Sequence, residues 1–392
     1  MPFSLHRRSP RPGPCRPRSA SGLHLACLAV GMTLGLPGFA AADVVAAKSQ
    51  IDRTAPPQLQ AKGSGDLNSD GKPDLVVGSK AGGIYWYQNG SWAKRTISAT
   101  LKPAEEVRVA DLTGDGKPDV LVAAVSGGTE WFENGGGGTS WTQRRIPSDK
   151  FHDIAVGDID GDGKADVVGR RPYPNGQVVS IWRQVSKTSF VLTNVNLPES
   201  GTGLALAKID GDAKLDIAVG KFWLKNQSTS GTIKFRTYTY FSGAERDARV
   251  AAGDINGDGR VDLFVTPPHG TISGSHKVAW YEAPSNRTVT WTEHVLETGA
   301  APNTHTALIL DVDNDGRKDL VTAIDSVEIG AHPIKIFINK GNGTFAVQTI
   351  ANDAQHSMQA LTVAGGKKAL AGADYNEQPT SSIDLWTLSP AP

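Results

Sequence analysis

Cysteine is almost missing from this 392-residue chain: the two present, Cys15 and Cys27, both fall within the first 42 residues. Beyond residue 42 neither a disulfide nor a cysteine nucleophile can be built. Charge of one sign is missing as well, with 40 basic residues against 40 acidic. There is no basic stripe, no recognition-helix pattern and no heptad, so no nucleic-acid partner is expected. The glycine run from Gly135 to Gly138 reads as a hairpin tip rather than a phosphate cradle, and no HExxH motif occurs.

Residues 1–42 differ from the rest. Arg7, Arg8, Arg11, Arg16 and Arg18 precede an apolar run from Leu23 to Leu36, and Ala40-Ala41-Ala42 closes it. This is the layout of a secretory signal peptide, which implies a secreted or periplasmic protein. The run is interrupted by His24 and Thr33, is followed by Pro37, and falls short of the ~20 apolar residues of a membrane anchor. Cys27 sits too early in it for a lipoprotein site. Removal of the leader would leave 35 basic and 40 acidic residues, a charge of minus five. Residues 43–392 fit one domain, expected to be monomeric and without a membrane span.

What the chain has in quantity is a nine-residue acidic pattern, DxDxDGxxD or its variant with Asn or Thr third. It occurs at Asp66-Asn68-Asp70-Asp74, Asp111-Thr113-Asp115-Asp119, Asp158-Asp160-Asp162-Asp166, Asp254-Asn256-Asp258-Asp262 and Asp311-Asp313-Asp315-Asp319. Carboxylates at positions one, five and nine with an oxygen at three form a set of hard ligands suited to Ca²⁺, and the glycine at six permits the tight bend. About five such sites are expected. An EF-hand would need Glu at position twelve, where Val77, Val122, Gly169, Val265 and Thr322 stand. The flanks are short and β-branched, as in Asp119-Val120-Leu121-Val122, so the loops join strands rather than helices.

The first aspartates, with a degenerate copy at Lys208-Asp210-Asp212-Asp216, are separated by 45, 47, 50, 46 and 57 residues. That period is the length of a propeller blade. A seventh unit without acidic ligands reads as Ala360–Val363, Gly365-Gly366 and Ala369–Gly372. One aromatic marks the strand after each loop: Trp86, Trp131, Trp182, Trp223, Trp280, Phe337 and Trp386. A second follows in most units, at Trp92, Trp141, Phe190, Phe235, Trp291 and Phe345. Their even spacing favours packing between blades over sugar stacking. The predicted fold is all-β, a seven-bladed β-propeller of four-stranded antiparallel blades. The last unit ends on its third strand, near Trp386, so the segment Val44 to Ile51 is expected to supply the fourth and close the ring.

VADLTGDGKPDVLVAA, VGDIDGDGKADVVG and AGDINGDGRVDLFV resemble FG-GAP and VCBS repeats, the calcium-loop blades of integrin α-subunit heads and of secreted bacterial proteins. The resemblance runs over residues 55–390. It implies a calcium-bearing propeller, in a family whose members include adhesins, lectin-like binders and carbohydrate lyases or dehydratases. The fourth unit departs from the pattern: Lys208 takes the first ligand position and Ala213 the glycine position, so no calcium is expected there, and the Lys208 ammonium could sit in its place.

The metal turns all lie on one face, so first-strand starts and second-strand ends meet at the other, around a central funnel. These positions give Glu105, Glu106, His152, Asp153, His305 and His356, with Lys80, Arg170, Arg171, Lys221, His269, Asp325 and Asp374. His152, His305 and His356 with Glu105 could hold a transition metal or serve as acid and base, and the cations could hold an acidic ligand. His276 and His332 read as surface-loop residues. Asn89, Asn226, Asn286 and Asn342 begin glycosylation sequons that hairpin chemistry explains equally well. Three functions follow: a binder of carbohydrate or of a surface protein, a saccharide lyase or dehydratase, and an adhesion scaffold.

Overall fold

The computed structural model describes residues 44–124, 128–147, 150–171, 176–242, 248–267, 276–300, 304–325, 331–373 and 381–391. The leader, His269 and Asp374 lie outside them. The described residues form seven four-stranded antiparallel sheets and contain no α-helix. Blade 1 runs Leu59–Gly65, Asp74–Ser79, Ile84–Tyr87 and Lys94–Ser98, and blade 2 runs Ala104–Ala110, Asp119–Ala124, Gly128–Asn134 and Trp141–Ile146. Blade 3 comprises Asp153–Gly157, Asp166–Arg170, Val178–Ser186 and Ser189–Asn196. Blade 4 comprises Ala205–Ala207, Asp216–Val219, Phe222–Asn226 and Phe235–Thr239. Blade 5 is Arg249–Gly253, Asp262–Thr266, Lys277–Glu282 and Thr292–Thr298, and blade 6 is Leu308–Leu310, Asp319–Ala323, Pro333–Gly341 and Thr344–Asn352. Blade 7 takes Gln359–Thr362, Lys368–Gly372 and Ser381–Pro390 from the end of the chain, and its outer strand, Val44–Ala55, from the start. Val44 opposes Pro390 and Lys48 opposes Trp386, so the ring closes as the truncated last repeat implied.

First strands of successive blades touch one another and line the axis, while fourth strands form the rim. Second strands lie inside their sheets and are covered on both faces, which is why Asp119–Ala124 and its counterparts in blades 1 and 3 are buried along their whole length. The apolar core is divided accordingly. Seven clusters occupy the seven interfaces between neighbouring blades, including the closing one that joins Ala55, Leu361 and Ile383 to Leu59, Leu75 and Tyr87. The seven third-strand aromatics lie buried in these clusters. Trp86 donates its Nε1–H to the Gly138 carbonyl in the outer hairpin of blade 2, and Trp223 does the same to Arg287 of blade 5. Gly138 has φ +63°, and a Cβ there would stand 2.6 Å from the Trp86 ring, so the indole fills the space the glycine leaves.

Candidate functional site: acidic loops and axial funnel

Each acidic loop is the hairpin between first and second strands, and its position-nine aspartate opens the second strand opposite the last residue of the first. Gly65 faces Asp74, and Ala110 faces Asp119. The position-six glycines, Gly71, Gly116, Gly163, Gly259 and Gly316, have φ from +81° to +89°, the left-handed bend expected of them. Position one is oriented by its own loop: Asp158 accepts Gly161 and Asp162 N–H on one oxygen and Gly163 N–H on the other, and Asp66, Asp111, Asp254 and Asp311 are held in the same manner.

Position nine has a structural part that spacing alone did not disclose. Asp74, Asp119, Asp166, Asp216, Asp262 and Asp319 are fully buried. One oxygen accepts a loop N–H, from Leu67 in blade 1. The other accepts the N–H of a residue at or near the end of the third strand, from Asn89 in that blade. In five of these blades that residue also ties neighbouring blades together, the exception being Ala283 of blade 5. Asn134 Nδ2 donates to Leu67 of blade 1, Gln184 to Leu112, Asn226 to Ile159, Asn339 to Ile255, and Asn89 to Thr362 of blade 7. Asn89 and Asn226 are therefore buried fasteners and not accessible glycosylation sites. Burial pushes the position-nine carboxyls up to about 6 despite these bonds.

The residues suit a hard divalent cation. Ligand atoms of Asp158, Asp160 and Asp166, and of Asp311, Asp313 and Asp315, lie within 4.8 Å of one another. An N–H bond uses one lone pair of a carboxylate oxygen and leaves another for coordination. In the other three loops Asn68, Thr113 or Asn256 takes the third place. Basic residues at position seven turn toward position five, with Lys117 at 3.1 Å from Asp115 and Lys164 at 2.7 Å from Asp162. In blade 4 the ammonium among the acids is Lys225, on Asp210, while Lys208 is exposed. Lys225 arrives from the third strand, directly beside the loop, and this replaces the expectation placed on Lys208.

At the axis a cavity of about 340 Å³ is bordered by residues in, or leading into, the first strand of every blade, among them Lys62, Glu106, Asp153, Leu204, Arg249, His305 and Gln359. Glu106 borders it and Glu105 does not. Asp153 is the hub of the charges. Arg170, fully buried, donates Nε–H to its Oδ2 at 2.7 Å, and Arg249 Nη1 and His152 Nδ1 lie 2.6 and 3.1 Å from its Oδ1. Burial acts to raise the Asp153 carboxyl, but Arg170, His152 and Arg249 outweigh it and hold it well below the usual range. Glu106 is pushed up by burial, against the pull of Arg108. Arg170 is thus committed to Asp153, and Lys221 to Glu199. Lys80 and Arg171 do not border the cavity.

The three histidines do not form one ligand set. His152 joins the Asp153 hub, whereas His305 and His356 come together with ring centres 4.5 Å apart beside Asp325, and all three of these residues are buried. His305 Nε2 is 3.8 Å from Asp325 Oδ2, its Nδ1 is 3.3 Å from Arg249 Nη2, and His356 Nδ1 is 3.3 Å from the Gln60 carbonyl. His276 is buried rather than a surface residue. Lys62, Arg108 and Arg249 went unread in the sequence, although alternate positions of the first strands could have pointed to them.

These features define a seven-bladed β-propeller with acidic interstrand loops and a charged axial funnel. It carries FG-GAP-like repeats: the model of that repeat matches residues 66–122 and 111–169, each span running from one acidic loop into the second strand of the following blade. No curated protein matches the chain. A propeller of this kind supports a ligand-binding or scaffold role.

Proposed function

We propose that the protein is an exported, calcium-stabilised propeller that binds a ligand, a carbohydrate or a surface protein, through its funnel face. The observation that carries this reading is the axial cavity, to which all seven blades contribute and where Lys62, Glu106, Arg108, Asp153 and Arg249 place charged groups of both signs around one space. Such convergence of polar groups on a concavity is the usual form of a small-ligand or glycan site. Asp66, Asp111, Asp158, Asp254 and Asp311, with the acids and amides that follow them, would hold calcium. The ion would offset the mutual repulsion of carboxylates gathered at each hairpin and fix neighbouring strands.

Titration of the purified chain with a panel of neutral and acidic polysaccharides tests the funnel. Binding weakened by Glu106→Gln or Arg108→Gln supports the reading, and binding indifferent to both would overturn it. For calcium, excess chelator should lower the melting temperature by several degrees and added Ca²⁺ should restore it; an unchanged melting temperature would exclude the role. A second reading, a saccharide lyase or dehydratase, draws on His152, whose ring is oriented through Nδ1 by Asp153 in the manner of a general base. It requires ultraviolet-absorbing unsaturated product from the same panel, abolished by His152→Ala.

A further inference from the structure

We propose that His305, Asp325 and His356 form a transition-metal site, of the zinc class, beside the axial cavity. It is separate from the acidic loops and does not depend on which ligand the funnel binds. His305 and His356 lead into the first strands of blades 6 and 7, and Asp325 follows the second strand of blade 6, so three chain segments meet at one point. Their ligand atoms lie within 4.8 Å of one another, and the residues are between 1 and 5% exposed.

The separation of His305 Nε2 from Asp325 Oδ2, 3.8 Å, is too long for a hydrogen bond. It is close to the ~3.4 Å between neighbouring ligands on a tetrahedral ion with bonds of about 2.1 Å. The donor set, two imidazoles and one carboxylate, suits zinc rather than calcium, which takes six to eight oxygens. One of the two imidazoles is already held in a ligand's tautomer. His356 Nδ1 lies 3.3 Å from the Gln60 carbonyl, which favours the ring proton on Nδ1 and leaves the Nε2 lone pair available to an ion.

Arg249 works the other way. A guanidinium only donates, so its Nη2, 3.3 Å from His305 Nδ1, favours the tautomer with the proton on Nε2. For Nε2 to bind a metal, that proton must leave Nε2 and Nδ1 must become the protonated nitrogen, which displaces the Arg249 contact. His305 also borders the axial cavity, so three protein ligands would leave a coordination position for water or a funnel ligand.

The test is zinc uptake by the full chain in saturating Ca²⁺, so that occupied acidic loops do not compete and failure of the calcium reading is scored separately. One zinc per chain is expected, with affinity lowered at least about tenfold in Asp325→Asn and His356→Ala. Arg249→Gln, which offers a carbonyl to an Nδ1–H, should bind at least as tightly as the parent. Less than about a tenth of an equivalent, uptake unchanged by the Asp325 and His356 substitutions, or loss of zinc in Arg249→Gln would each overturn the proposal. Should those variants fail to fold, the unaltered chain loaded with Co²⁺ decides. Intense visible bands of a tetrahedral nitrogen-containing site, displaced by zinc, support it, and only the weak bands of an octahedral oxygen site overturn it.

Discussion

Replacing Asp153 by Asn should be among the most damaging single changes in the molecule. The carboxylate is 3% exposed and faces Arg170, which is fully buried, with Arg249 and His152 on its other oxygen. An amide keeps the shape but removes the charge and turns its NH2 group toward one of the two guanidinium groups, which can only donate. Breaking a buried ion pair from one side costs about 3–5 kcal/mol, because the remaining charge stays out of water. Unfolding entropy of ~2.1 cal/mol/K per residue gives roughly 0.7 kcal/mol/K for a domain of this size, so the melting temperature should fall by about 4–7 °C at pH 7. Calorimetry in saturating Ca²⁺ would measure it. The pH dependence has a definite sign. A carboxyl held well below its ordinary value stabilises the fold above the unfolded-chain value of about 3.9, and that contribution is lost as pH falls through the folded-state value. The gap between parent and variant should therefore be full at neutrality and close only in strong acid. Adding Arg170→Met should recover at least half of the loss by removing the stranded charge. A variant within 1 °C of the parent, or a double variant no better than the single one, would refute the account.

Gly138→Ala should destabilise by about 1–3 kcal/mol, since it combines positive-φ strain with a Cβ driven into Trp86, and quenching or shift of tryptophan fluorescence should accompany the loss. Asn134→Ala removes bonds to both Leu67 and Pro118 and should cost about 1–3 kcal/mol in denaturant unfolding, whereas Asn286→Ala, on an exposed hairpin, should cost almost nothing. In chelator, the position-nine carboxyls, raised to about 6, make the folded state bind more protons than the unfolded chain between about pH 4 and 6. The chelated protein should consequently melt higher at pH 5 than at pH 7, and calcium should reverse that order. A chelated melting temperature that rises with pH over this range would contradict the burial of these groups.

The repeat made much of this architecture legible. Acidic hairpins near the period of a blade, one aromatic per third strand and a truncated final unit together imply seven sheets and closure by the segment Val44 to Ile51, a strand that runs on to Ala55 in the structure. The funnel was less legible for a matching reason: its chemistry does not repeat. His152 and His305 both stand six residues before the first aspartate of a loop, but His152 is followed by Asp153, which captures it, and His305 by Thr306, whose hydroxyl accepts the Met358 N–H of blade 7. Equivalent places thus acquire different neighbours. The choice between Glu105 and Glu106 turns on a register shift between Ala104 and Glu106 that reverses which side chain faces the axis. Lys225 lies 15 residues after Asp210 and reaches it only because the third strand returns beside the loop, whereas Lys208, the nearer residue in sequence, points to solvent. The inter-blade amides were in plain view as Asn89, Asn134, Gln184, Asn226 and Asn339. They follow position nine by intervals of 10 to 20 residues, set by hairpins of unequal length, so no fixed spacing drew them together. The features that recur at fixed spacing describe the scaffold. Those that pair only after the ring closes describe the site, and their reading depends on contacts between blades that a linear pattern does not carry.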